Sequence, residues 1–344
     1  MTNIRQSTMN VIPSAAKNLS ISPLPFLRAL RATSATFAFF LCLSLTPALH
    51  AQPPKSNGKI SGAATYALTK QLLAVAPKRF YGSPGHAAAE AFIRDHFAAE
   101  DKDHRLEIDS FSASTPAGQQ SLRNIIVKFP SANPAKKDGI IVLGSHYETN
   151  YPLKDINFVG ANDGACTTAL LIEFGQYFRA HPPQGYSIWI VFFDGEEAVK
   201  EWSASDSLYG SRHLSAKWSQ DGILGHIKAF LLADMIGDKN LDIDLDGNSD
   251  PSLVDLLKVA AKNTGHPAAL SNDNTPMEDD TLPFHKRGVP VLDVIDYDYG
   301  PMDDRTGDHA YHHTVQDTID KISPQSLQTS ADLFMELIAL INQR

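Results

Sequence analysis

Apolar residues recur at every third or fourth position in "AATYALTKQLLAVAP" (63–77) and in "HAAAEAFIRDHFAAE" (86–100), the spacing that lines one face of a helix. Two strand-like segments follow, "RLEIDSF" and "LRNIIVKF", with turn formers between them. The pattern then changes. Short unbroken runs rich in β-branched residues, "GIIVLGSH", "YSIWIVFF", "AFLLADM" and "VPVLDVI", alternate with helical stretches such as "CTTALLIEFGQYFRA" and "DPSLVDLLKVAAKNTG". The second of these helices has Asp250 as N-cap, Pro251 in its first turn and Gly265 as its stop; the closing stretch "SPQSLQTSADLFMELIALIN" repeats the device with Ser323 and Pro324. Strands without polar alternation are buried on both faces. The pattern therefore predicts an α/β fold, a three-layer sandwich whose central mixed, mainly parallel sheet is flanked by helices.

The first fifty residues do not fit that pattern. Arg28 and Arg31 precede the apolar run "TFAFFLCLSL", which gives way to "TPALHAQPP"; this reads as a secretory signal peptide over residues 1–51, cleaved after Ala51. The run is shorter than the roughly 20 apolar residues of a membrane span. The expected organisation is thus a leader (1–51), a flexible lead-in (52–62) and one catalytic α/β domain (63–344) of an exported protein, periplasmic or secreted, with no stable membrane association. A monomer is the expectation.

Charge and cysteine content narrow the class. Of 30 basic and 39 acidic side chains, the leader holds four basic ones (Arg5, Lys17, Arg28, Arg31) and no acid, so the remainder carries a formal charge of −13. Such a surface disfavours nucleic acid and suits a cationic ligand such as a peptide amino terminus. Cys42 leaves with the leader, and Cys166 alone cannot form an internal disulfide.

Open α/β sheets bind ligands beyond the carboxyl ends of their strands. Here those ends carry His146, the pair Glu196 and Glu197, Asp234, and the loop "HAYHHT"; Asp163 lies in the Gly-bounded loop "VGANDGA". Aspartate, glutamate and histidine without cysteine suit zinc. Neighbours on an extended segment point opposite ways, so in "FFDGEEAVKEW" one glutamate is expected to bind metal and the other to move protons. The competing reading is that the pair caps a helix directly after the strand.

The run "FFDGEEAVKEWSASDSLYGSRHL" closely resembles the animal-type glutaminyl cyclases (glutaminyl-peptide cyclotransferases), relatives of the zinc aminopeptidases. The likeness extends through "GSHYET", "FVGANDGA", "LLADMIG", "EDDTLPFHKRGVPVLDVI" and "HHTVQDT". An aminopeptidase of this clan follows its Glu-Glu pair with a short Gly-Ser turn, whereas "AVKEWSASDSLYGS" intervenes here, as in the cyclases. The resemblance implies an aminopeptidase-like fold and one zinc ion held by Asp163, Glu197 and His313. It implies Glu196 as the catalytic carboxylate, Asp234 and Asp279 as acids in a relay with it, and Trp202 as an aromatic wall of the substrate pocket. His312 occupies the place of a family tryptophan and Asp293 that of a family histidine, which makes both candidate substrate-binding positions. The implied substrate is a peptide or protein with N-terminal glutamine, and the implied products are pyroglutamate and ammonia.

Other departures are Glu148 for the aspartate of "HYD", Thr281 for a histidine, and Ser145 and Thr168 for the paired cysteines. From the residues alone His312 and His313 are equivalent metal candidates; "T" and "D" in "HHTVQDT" favour His313. The rival function is a zinc aminopeptidase, whose second metal would use His146 and Asp234. A third reading, a calcium loop in "DIDLDGNSD", has Asp242, Asp244 and Asp246 at the right spacing but Leu253 where a bidentate glutamate is required.

Overall fold

The computed structural model describes residues 59–303 and 306–344. The expected leader and the lead-in up to residue 58 lie outside them. Three helices open the described chain: α1 (Gly62–Val75), α2 (Pro84–His96) and α3 (Ala98–Lys102). Strands β1 (Leu106–Thr115), β2 (Gly118–Phe129) and β3 (Ile140–His146) follow, then α4 (Thr167–Ala180), β4 (Ser187–Phe193), α5 (Tyr209–Gln220) and β5 (Ile227–Asp234). The chain continues through α6 (Pro251–Thr264), the short α7 (Leu282–His285), β6 (Val291–Ile295), a two-residue hairpin pair, and α8 (Pro324–Ile341).

The main sheet has six strands in the order β1-β2-β4-β3-β5-β6. β1, β2 and β4 pair antiparallel, while β4, β3, β5 and β6 run parallel. This is the mixed, mainly parallel sheet read from the pattern, and the unbroken apolar runs have the expected cause. Alternate residues serve opposite faces: Ile141, Leu143, Ile190 and Phe192 pack with α1, α4, α6 and α8, and Val142, Val191 and Phe193 pack with Trp218 of α5 and Phe284 of α7. Caps are where the sequence places them. Asp250 accepts from Ser252 N (2.9 Å) and Ser323 from Ser326 N (3.0 Å), and Gly265 ends α6 at φ +82°, a conformation that costs other residues.

One element differs from expectation. The 86–100 stretch is broken at Phe97 (φ −110°, ψ 20°), whose ring is fully buried against Gly175 of α4. Fifteen residues separate β4 from helix α5, so Glu196 and Glu197 lie in a long connecting segment, and the competing reading that they cap a helix does not hold. The calcium-like run is a turn whose acids serve the protein itself. Asp244 accepts from Ser271 Oγ and Tyr297 N, and Asp246 from Asn248 N, Ser249 Oγ and Met277 N.

Candidate metal centre and active site

The parallel strands deliver their carboxyl ends to one rim. β3 ends on His146, β5 on Asp234, and β4 leads straight into Asp194-Gly195-Glu196-Glu197. Asp163 comes from an irregular turn before α4, bracketed by Gly160 (φ +54°) and Gly164 (φ +84°). Both glycines are required by space as well as conformation: a side chain at 160 would strike the Asp163 carbonyl, and one at 164 would meet the His146 ring at 2.9 Å. His313 adopts φ +52°, a left-handed conformation that is uncommon for a side-chain-bearing residue and is found at functional sites.

Asp163, Glu197 and His313 present one ligand atom each within 4.8 Å of one another. His313 Nε2 is 3.0 Å from Glu197 Oε1 and 3.4 Å from Asp163 Oδ2. Those separations match the edge of a tetrahedron with metal–ligand bonds of about 2.0–2.1 Å, roughly 3.4 Å. Asp163 Oδ2 is also buried and, with the His313 nitrogen 3.4 Å away, forms no well-aligned hydrogen bond among the described groups, which suits an oxygen that shares a cation with that imidazole. The donor set, two carboxylates and an imidazole, fits zinc. A second triad shares Asp163: His146 Nε2 lies 3.1 Å from Asp163 Oδ1 and 3.3 Å from Asp234 Oδ1.

Protons supply part of the positive charge that these acids demand. Burial opposes charge on His313 and His146, but the carboxylates facing each outweigh it and hold both imidazoliums well above the ordinary histidine range. Burial likewise works against ionised Asp163, and the two histidines reverse this, holding it well below the usual carboxylate range. Glu196 behaves oppositely. Burial, then the charge of Glu197, pushes it well above the range of a free glutamate. Asp279 is raised by burial and by Asp234, and Asp280 is pushed up to about 7 by burial.

A cavity of about 550 Å³ opens over this rim. Asp163, Glu196, Glu197, Asp234 and Asp279 are on its wall, as are His313, His312 and Trp202. Asp293 is not. It is fully buried in β6 and raised by burial and by neighbouring Asp279, so the structure places it beneath the cavity and out of direct reach of a ligand. The segment after Glu197 is tied into a knot by Asp206, whose carboxylate accepts from the N–H groups of Val199, Lys200 and Glu201 (2.9 Å each) and from Tyr209 Oη (2.7 Å). That knot carries Trp202 to the cavity mouth, where its indole N–H donates to Glu278 (3.2 Å).

Sequence reasoning missed the supports beneath the ligands. Asn150 Nδ2 donates to Glu197 Oε2 at 2.7 Å, Tyr81 Oη donates to the Glu197 carbonyl at 2.5 Å, and Glu148 accepts from Glu197 N at 3.1 Å. Asp317 accepts from the N–H groups of Asn162 (2.8 Å) and Asp163 (3.2 Å) and from Tyr299 Oη (2.8 Å), fixing the Asp163 turn. Arg79 is entirely buried and donates to the carbonyls of Tyr147 (2.8 Å), Val159 (2.8 Å) and Gly160 (3.0 Å). The "D" of "HHTVQDT" was a legible signal for Asp317. A lone arginine before a turn offered none for Arg79.

Residues 124–338 match peptidase family M28. A glutaminyl-peptide cyclotransferase of Boiga irregularis is 31% identical over 253 residues, covering 63% of this chain and 67% of its own. The crystal structure of an Acidobacteriales bacterium glutaminyl cyclase is 64% identical, covers 86% of this chain and 98% of that one, and superposes with a TM-score of 0.81. A zinc-dependent exopeptidase from Parabacteroides distasonis shares the fold at 21% identity, with 85% and 100% coverage and a TM-score of 0.68. The chain belongs to peptidase family M28 and, within it, to the glutaminyl-peptide cyclotransferases.

Proposed function

We propose that the protein is an exported, zinc-dependent glutaminyl-peptide cyclotransferase that closes the N-terminal glutamine of peptides and proteins to pyroglutamate, releasing ammonia. Asp163, Glu197 and His313 would hold one zinc ion, which when bound supplies Lewis-acid polarisation of the glutamine side-chain carbonyl. The observation that carries the reading is the different surroundings of the two neighbouring glutamates on the cavity wall: Glu197 faces His313 and is anchored by Asn150, while burial beside Glu197 raises the proton affinity of Glu196.

Glu196 takes a proton from the substrate α-ammonium, leaving the amine free to attack. The new bond joins the α-nitrogen to the side-chain carbonyl carbon, and the bond to the amide nitrogen breaks. Glu196 then gives that proton to the departing nitrogen, which leaves as ammonia, and takes up the second proton that the α-nitrogen sheds on becoming the lactam N–H. Asp234 and Asp279 stand on the same wall, and Asp279 adds to the burial and the Glu197 charge that favour the protonated form of Glu196 between the two transfers. Trp202 forms an apolar side of the pocket and His312 lies at its mouth.

The His146–Asp163–Asp234 triad favours a second reading, a two-metal aminopeptidase in which Glu196 activates water. Substrate comparison separates the two. The zinc-loaded full chain is expected to release ammonia from an N-terminal Gln peptide amide, to lose that activity on chelation, and to regain it when zinc returns. Hydrolysis of the corresponding Leu amide at comparable kcat/KM would overturn the cyclase reading in favour of the peptidase. Among the described residues no helix is long and apolar enough to cross a membrane.

A further inference from the structure

The cavity changes character from floor to mouth. Its floor is the buried acid set already described, whereas its mouth is formed by Trp202, Thr275, Pro276, Glu278, Tyr297 and His312. Trp202 and Tyr297 keep 38% and 42% of their surface exposed, and the Tyr297 ring also meets His312 at 5.2 Å between centroids, so both rings leave surface open to a ligand rising from the floor. Glu278 is exposed beside them; its Oε2 accepts from the Trp202 indole, and no lysine or arginine pairs with it among the described residues. Among the described residues the cavity wall carries six carboxylates and no lysine or arginine. An exposed indole that carries a carboxylate on its edge, with a second exposed aromatic ring lining the same cavity, forms a receptor for a cation through ring and charge together.

We infer that this mouth is a subsite for a basic side chain at the second position of the substrate, with Glu278 as the specificity-determining residue. The inference rests on the cyclase reading. With the N-terminal residue on the floor, the next Cα lies about 3.8 Å further out, which brings its side chain to the mouth. A lysine or arginine there meets the Glu278 carboxylate and can lay its stem across Trp202. A glutamate meets only like charge. Because the mouth is solvent-exposed, the discrimination is modest and sensitive to salt.

The test compares kcat/KM of the zinc-loaded full chain for Gln-Lys-Ala, Gln-Ala-Ala and Gln-Glu-Ala amides, at low and at high ionic strength, in the wild type and in Glu278→Gln. The expected order is Lys, Ala, Glu, with about a tenfold span from Lys to Glu at low salt that resides in KM. Glu278→Gln and high salt should each compress that span. Equal efficiency for all three peptides, or an unchanged span in Glu278→Gln, overturns the subsite while leaving the cyclase reading intact. Turnover of none of the three overturns the cyclase reading itself, and the subsite with it.

Discussion

Glu196→Gln lowers kcat for an N-terminal Gln peptide by a factor of about 10²–10⁴, the usual contribution of a positioned acid–base group, while the protein keeps its metal. The two halves of that expectation have separate structural reasons. Glutamine preserves the shape of the side chain on the cavity wall but can neither take the ammonium proton nor return it. The ligand atoms of Asp163, Glu197 and His313 remain together, because the substitution touches none of them. Folding should not suffer either, since a carboxyl that burial already holds well above its ordinary range is costly to ionise. Steady-state kinetics with metal analysis and thermal melting on the same preparation checks all three expectations. A kcat within a few-fold of wild type would remove Glu196 from the chemistry.

Arg79→Met is expected to be the most damaging substitution to stability, and it acts on the metal site from beneath. The guanidinium is fully buried, and its charge is answered by backbone carbonyls of the two segments that carry the site, residues 147–149 and 159–163. Burial pulls its pKa down to about 10, against the opposing pull of Asp163, Asp317 and Glu148, so it remains charged at neutral pH. Methionine fills much of the volume but strands those carbonyls and removes the one buried cation among the described residues that faces these acids without depending on histidine protonation. Breaking such an arrangement costs about 3–5 kcal/mol, or roughly 10 °C in Tm for a chain of this size. Zinc affinity should fall as well, because the Gly160–Asp163 turn loses the clamp that orients it. Arg79→Lys, which keeps charge but satisfies fewer carbonyls, should fall between the two in melting temperature and in metal affinity. If Arg79→Met melted with the wild type and bound zinc equally well, the clamp would have no such role.

Much of this architecture was legible in the chain because burial on both faces writes itself into strands. Ile188 to Phe193 contains no polar residue, and each of its side chains faces one helical layer or the other. Strand ends were legible for the same reason, and the rim follows from them: His146, Asp234 and the Glu-Glu pair stand where apolar runs stop. Helix α5 was hidden because half of its buried stripe is glycine and serine, which leaves only Tyr209, Leu214 and Trp218 as larger apolar marks. The break at Phe97 was hidden because it depends on where the ring packs, against a glycine nearly eighty residues away. Asp293 shows the limit of position-by-position transfer. Its place in the chain suggested contact with a ligand, but it lies in the middle of a fully buried strand and off the cavity wall, next to Asp279, Asp246 and Asp234. Asn150 and Arg79 carry no pattern at all, since a hydrogen bond to a ligand or to a carbonyl depends on three-dimensional approach.

The account stands on one metal ion held by Asp163, Glu197 and His313, with Glu196 left free beside it. Zinc counted per chain, in the purified full chain and in His313→Ala, tests this most directly. One ion in the first and none in the second is the predicted result. Two ions in the wild type, or one that survives loss of His313, would contradict it.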